Sequence, residues 1–293
     1  GERMTGKPGS ERIAALAGAR AFPPLFVVMY HFSEGHHYSG WKILDYFATR
    51  GYLWVEFFFV LSGFILTHAY WPRLKDLLQG RGYLDFLRAR LIRLYPLHLF
   101  MLLLILAMVM TFRALAAQGG YVSIFDLPWH QDVSAKGFVL SLFLVQAWHT
   151  MDRLTWNGLS WFVSVEFALC LLFPALLYLC HGRTWRGTLL IAAGIAGLIA
   201  LSFTSGHGLD ITYDWGVARG ICDFIIGMGM AVLFRRLKPR DRAPEWVHTL
   251  LQVLLLTLLA YVVTHTGWSH TRMDILTVLP LTMLIFALAF DRG

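Results

Sequence analysis

The chain has 293 residues, of which 57% are hydrophobic and only 15% charged, with a mean hydropathy of +0.57. A soluble domain carries about 25% charged residues, so this composition excludes a water-soluble fold and points to helices that cross a membrane. The net charge of +7 sits mostly in loops beside apolar runs, which basic cytoplasmic loops explain without any nucleic-acid partner.

Taken in order, runs long enough to span occur at Ile13–Phe32, Gly51–Trp71, Tyr95–Ala117, Trp161–Cys180, Thr188–Thr204, Val217–Phe234, Trp246–Thr266 and Met273–Phe290. The fold expected is an all-α, polytopic transmembrane bundle of eight or nine segments, forming one domain over residues 1–293. No small-residue cleavage site follows the first run, which is therefore read as a retained anchor. Between Tyr83 and Arg93 the pattern is that of a basic amphipathic helix running into the third span. Cys170, Cys180 and Cys222 lie in or beside apolar runs and are read as small core residues, with neither disulfide framework nor metal site. The stretch Phe138–Trp148 is too short to cross alone, and its path sets the sidedness of everything after it. If it does not cross and the N-terminus is cytoplasmic, seventeen lysines and arginines face inward and six outward. A crossing would erase that bias. Phe138–Trp148 is thus expected to be re-entrant or interfacial.

Four polar clusters fall where hydrocarbon is expected. In the first span, Arg20 and His31 are eleven residues apart, which on one helix places them within roughly 20° of a common face and about 16 Å apart. An intramembrane cation and a titratable ring facing the same way suggest a lined cavity. Pro23 and Pro24 lie between them and are expected to kink that helix. Glu56, in the outer third of the second span, is placed to orient or charge-pair His31, and the following Ser62-Gly63 step suits close helix approach. A third cluster, Asn157 to Glu166, delivers Trp161, Ser164 and Glu166 as a loop enters a span; Ser164 and Glu166 lie about 200° apart on an ideal helix. Arg219 and Asp223, at i and i+4, suit a self-contained ion pair. A Ser164–His31–Glu166 nucleophilic triad is the weaker reading, since Ser164 lies in no nucleophile elbow. Metal binding by His36 and His37, or by His130 and His149, lacks a ligand framework.

These residues resemble the acyltransferase family 3 membrane proteins, O-acetylases of bacterial surface polysaccharides, peptidoglycan and some antibiotics. Arg20 and His31 match the family's Arg-x10-His signature, and Phe57-Phe-Phe-Val-Leu-Ser-Gly-Phe64 its second-helix motif. Arg90-Leu-Ile-Arg93 with Tyr95-Pro96 matches its basic loop. Leu144-Val-Gln-Ala-Trp148, Asn157 and Ser160-Trp161-Phe-Val-Ser-Val-Glu166 match the stretch around its acidic residue, and Arg219, Phe224 and Gly227 a later motif. The resemblance implies transfer of an acyl group, usually acetyl from acetyl-CoA as co-substrate, to a hydroxyl of a carbohydrate or glycoconjugate, with no permanently bound cofactor. It implies that the histidine is the base and the basic loop a donor site. The expected catalytic residues are then His31, Glu166 and Arg20, and the expected substrate or donor contacts are Arg90, Arg93, Glu56, Trp161, Ser164, Asn157 and Arg219. The setting implied is the bacterial inner membrane, and the excess of inward lysines and arginines counted above places the N-terminus in the cytoplasm. Two departures stand out: Phe162 replaces the family's serine after the tryptophan, and Gly293 precedes the family's late Gly-x-x-Ser-Tyr-type stretch and last helix, so the chain is expected to be C-terminally short. A transporter or flippase moving an acyl donor or lipid-linked sugar without chemistry is the rival reading.

Overall fold

A computed structural model describes residues 14–19, 22–33, 49–128, 130–265 and 271–290. Among them the secondary structure is helical, with a single isolated bridge between Asp132 and Thr155 and no strand. The helices are α1 (Ala14–Ala19), α2 (Phe22–Ser33), α3 (Trp54–Tyr70), α4 (Leu74–Leu77), α5 (Gly80–Gly119), α6 (Ala135–Leu142), α7 (Trp161–Cys180), α8 (Thr184–Thr204), α9 (Gly216–Leu237), α10 (Glu245–His265) and α11 (Ile275–Ala289). Among the described residues seven helical stretches are long and apolar enough to cross a membrane, and they correspond to the second to eighth expected spans. The first expected span is described as two shorter helices, α1 and α2. Pro23 and Pro24 stand in the first turn of α2, where proline's missing N–H costs nothing, so they open a helix instead of kinking one.

The contacts divide the chain into two compact units: residues 1–74, 175–210 and 221–293, and residues 75–174 and 211–220. In the first, α11 packs against α10, α3, α1 and α8, while α2 packs on α3 and on the 3-10 turn Gly51–Leu53. Leu53, Val60, Phe64, Ile226, Leu281 and Ile285 lie in its core. Backbones touch where side chains vanish. A Cβ on Gly63 would collide with the carbonyl oxygen of Phe224, and one on Gly227 with that of Val60, so α3 and α9 cross at paired glycines. Gly187 of α8 and Gly229 of α9 make a second such contact.

Two buried polar groups tie the ends of these helices. Arg50, 3% exposed, donates from Nη1 to the last-turn carbonyls of α10 at Val262 (3.2 Å) and Val263, at the negative end of that helix. Asp274, 2% exposed, accepts from the Tyr52 hydroxyl at 3.0 Å and the Leu209 N–H at 2.8 Å, and closes a capping box with Thr271 ahead of α11.

The second unit is built along α5. Its 40 residues extend about 60 Å, twice the hydrocarbon thickness, so the basic amphipathic stretch and the third span form one helix. Leu97 and Phe100 on it are 69% and 61% exposed, as an unpartnered lipid-facing surface requires. On its other side Leu102 and Val109 pack with Phe125, Trp156 and Phe138. The eight-residue α6 rises only about 12 Å, too little to cross, and the chain turns sharply after it at Leu144, where φ is +59°. This is the short non-crossing segment expected from the sequence.

Candidate active site

In the first unit His31 lies in the last turn of α2 and is exposed. The stack of Phe26 on Trp54 (4.5 Å) and the tilted contact of Tyr30 with Tyr52 (5.6 Å) hold the C-terminal half of α2 beside the start of α3. The first turn of α3 carries Glu56, which is fully buried. His31 thus stands at the carbonyl end of α2 and Glu56 at the N–H end of α3. Arg20 lies outside the described residues, as do His36 and His37.

In the second unit the entry to α7 is a dense knot. Its 3-10 turn, Gly158–Ser160, follows Asn157, whose carbonyl accepts the Ser160 hydroxyl at 2.7 Å. Ser164 is fully buried, and its hydroxyl donates to the Leu144 carbonyl at 2.8 Å while accepting the Ala147 N–H at 3.2 Å. The Trp148 indole donates to the Ser164 carbonyl at 3.1 Å, and the Gln146 amide donates to Ser160 Oγ at 3.2 Å. Leu144–Trp148 is therefore latched along the start of α7. Arg219, also fully buried, donates from Nη1 to the Ile211 carbonyl at 2.8 Å and lies over the Trp161 ring at 5.4 Å. Phe162, at the position where the family carries serine, is 37% exposed, so the buried hydroxyls here are those of Ser160 and Ser164.

Glu166 faces elsewhere, as its angular offset from Ser164 dictates. The Tyr83 hydroxyl donates to the Leu171 carbonyl at 3.2 Å and Phe86 packs on Phe173 at 5.5 Å, so the N-terminal half of α5 lies against the middle of α7. Arg90, one turn beyond Phe86 with its guanidinium 5.8 Å from that ring, is half-buried there. The basic stretch of α5 thus runs against α7, the helix that carries Glu166. Arg93 is exposed on the following turn.

His98 is the residue that the sequence reading passed over. It is 4% exposed, with Nε2 at 2.8 Å from the Ser141 carbonyl, and it pins the end of α6 to α5 together with Tyr95, whose hydroxyl donates to the Leu142 carbonyl at 2.9 Å. A carbonyl only accepts, so Nε2 carries the proton. The signal was available: an ionisable ring inside an apolar run, the argument that singled out His31. Among the described residues no three His, Cys, Asp or Glu side chains group as metal ligands.

Comparison with known proteins supplies the chemistry. The profile of the acyltransferase family 3 domain, described as "Acyltransferase domain", matches residues 13–292. The chain is similar to Acyltransferase MdmB of Streptomyces mycarofaciens, 28% identical over 96% of this chain and 71% of that protein. It is also similar to Protein 2 in picA locus of Rhizobium radiobacter, 34% identical over 54% of this chain and 76% of that one. No solved structure matches. With seven spanning helices and a profile match over nearly its whole length, the chain belongs to acyltransferase family 3 and is a multi-pass membrane acyltransferase.

Proposed function

We propose that this protein moves an acyl group, acetyl in the simplest case, from acyl-CoA to a hydroxyl of a carbohydrate or glycoconjugate, in the bacterial inner membrane with its N-terminus cytoplasmic. The observation that carries this reading is His31, an accessible ring at a helix C-terminus held beside the turn that buries Glu56. His31 takes the proton of the acceptor hydroxyl as the oxygen attacks the thioester carbonyl; the C–S bond breaks, and the imidazolium returns the proton to the departing CoA thiolate. Glu56 or Glu166 balances the imidazolium charge, and Arg20 stabilises negative charge along the acyl path. Arg90 and Arg93 hold CoA phosphates, which guanidinium forks suit better than an ammonium does. Asn157, Trp161, Ser164 and Arg219 shape the entry to α7 that the substrates meet. No resident cofactor takes part.

The experiment is transfer of radiolabelled acetyl from acetyl-CoA by the purified protein to a panel of glycans. Label on sugar that is lost in His31→Ala supports the reading. Label undiminished in His31→Ala, or transbilayer movement of acetyl-CoA without transfer, overturns it. Arg90→Gln with Arg93→Gln should raise the KM for acetyl-CoA about tenfold for each charge-assisted bond lost, since 1.4 kcal/mol is a factor of ten.

A further inference from the structure

The second unit contains a cavity of about 660 Å³ that no assigned role covers. Three stretches of chain wall it, contributing Asp132, Lys136, His149, Asp152, Tyr213 and Asp214 among others. His149 joins two of them. Its backbone N–H donates to the Tyr213 carbonyl at 3.3 Å, and its ring Nδ1 lies 3.0 Å from the Asp214 carbonyl. That carbonyl only accepts, so Nδ1 carries the proton and Nε2 presents a lone pair. The Trp215 ring, 5.1 Å from that of His149 and 55% exposed, extends the wall as a flat apolar face.

The walls are mounted on the entry to α7. Trp148, the residue before His149, is bonded to Ser164, and Ile211, two residues before Tyr213, is gripped by Arg219, which also covers Trp161. Loops fixed to a rigid scaffold in this way are where ligands are bound. The lining matches one ligand class. A sugar ring offers hydroxyls that both donate and accept, and C–H faces that pack on aromatic rings. The Asp152 and Asp214 carboxylates and the His149 lone pair receive those hydroxyls, Lys136 donates to them, and Tyr213 and Trp215 supply the rings, while Asp132 accepts from Ser134 and Thr155 and braces the wall. Three carboxylates stand against the Lys136 ammonium and the Arg153 guanidinium, which lies 3.8 Å from Asp152, so the lining keeps a net negative charge and an acidic sugar would meet like charge, which selects against it.

We propose that this cavity is the acceptor site and that it takes neutral or amino sugars while rejecting uronic, sulfated or phosphorylated ones. The inference rests on the carbohydrate acyltransferase reading above and names the acceptor class. The test is direct binding, without donor, of the detergent-purified full chain to a glycan panel containing neutral, amino and acidic members. Neutral or amino members should bind and acidic members should not. Trp215→Ala should weaken binding about tenfold, and Asp152→Lys should admit acidic members, with thermal unfolding confirming that both variants are folded. Binding of no member, binding of acidic members by the unsubstituted protein, or affinities indifferent to both substitutions overturns the proposal. Sugar binding without transfer when acetyl-CoA is supplied counts instead against the enzymatic reading, whereas transfer unaffected by either substitution counts against this site alone.

Discussion

Ser164 shows how a hydroxyl in a suggestive sequence can be wholly committed to the backbone. Its proton goes to the Leu144 carbonyl and its lone pair to the Ala147 N–H, in a site closed to solvent. Ser164→Ala leaves two backbone groups without those partners and should lower stability by about 1–3 kcal/mol, read from thermal unfolding in detergent. A nucleophile's removal costs about 10⁶ in kcat; acetyl transfer retained above about a thousandth would assign Ser164 to the latch. Arg219 makes the complementary case for a cation. One guanidinium bonds the Ile211 carbonyl and covers the Trp161 ring. Lysine has the charge but not the plane, so Arg219→Lys should cost about 1–2 kcal/mol on the same measurement, through the lost stacking and an imperfect bond. Sequence reasoning found both residues because a polar group inside an apolar run announces itself. It could not find their partners, since carbonyls such as those of Leu144 and Ile211 carry no side-chain signature.

At the scale of helices, the crossing of α3 and α9 depends on two missing side chains. Gly63 and Gly227 each bring a backbone against the other helix's carbonyl, closer than any Cβ permits. Gly63→Ala and Gly227→Ala should therefore force the helices apart and destabilise the protein by about 1–3 kcal/mol each. Gly80→Ala, at the start of α5 with no atom within 4 Å of the added carbon, should be neutral or slightly stabilising, because alanine is the better helix former. Equal unfolding temperatures for all three variants would contradict the paired-glycine contact. The Ser62-Gly63 step was legible as a site of close approach because small residues in a lipid-embedded helix have few other uses. Its pairing with α9 was not, since periodicity describes one helix at a time. The same holds for the Asp274 knot, whose partners Tyr52 and Leu209 are 222 and 65 residues away, and for the contact of Phe86 with Phe173 that brings the basic stretch of α5 against α7.

For the molecule as a whole, which ends of the spans share a side turns on one short segment. The eight residues of α6 rise about 12 Å against a hydrocarbon core of about 30 Å, so the segment ends far short of the opposite interface. The turn after it is latched back to α7 through Ser164 and Trp148, a fold that keeps its irregular backbone against protein, as a lipid interior demands. If the eight runs read from the sequence cross and this segment does not, alternation puts Arg73, Lys75, Arg235, Arg236 and Lys238 on the side of the N-terminus and Lys136 and Arg153 on the other. Single cysteines placed at Lys136 and Lys238, in a background with the three native cysteines replaced by serine or alanine, convert this into a measurement. In intact cells a membrane-impermeant maleimide should label Lys136→Cys, whereas Lys238→Cys should react only after permeabilisation. If α6 and the turn after it crossed, every later loop would change sides and Lys238→Cys would be labelled from outside, which would also strip the basic loops of their cytoplasmic bias.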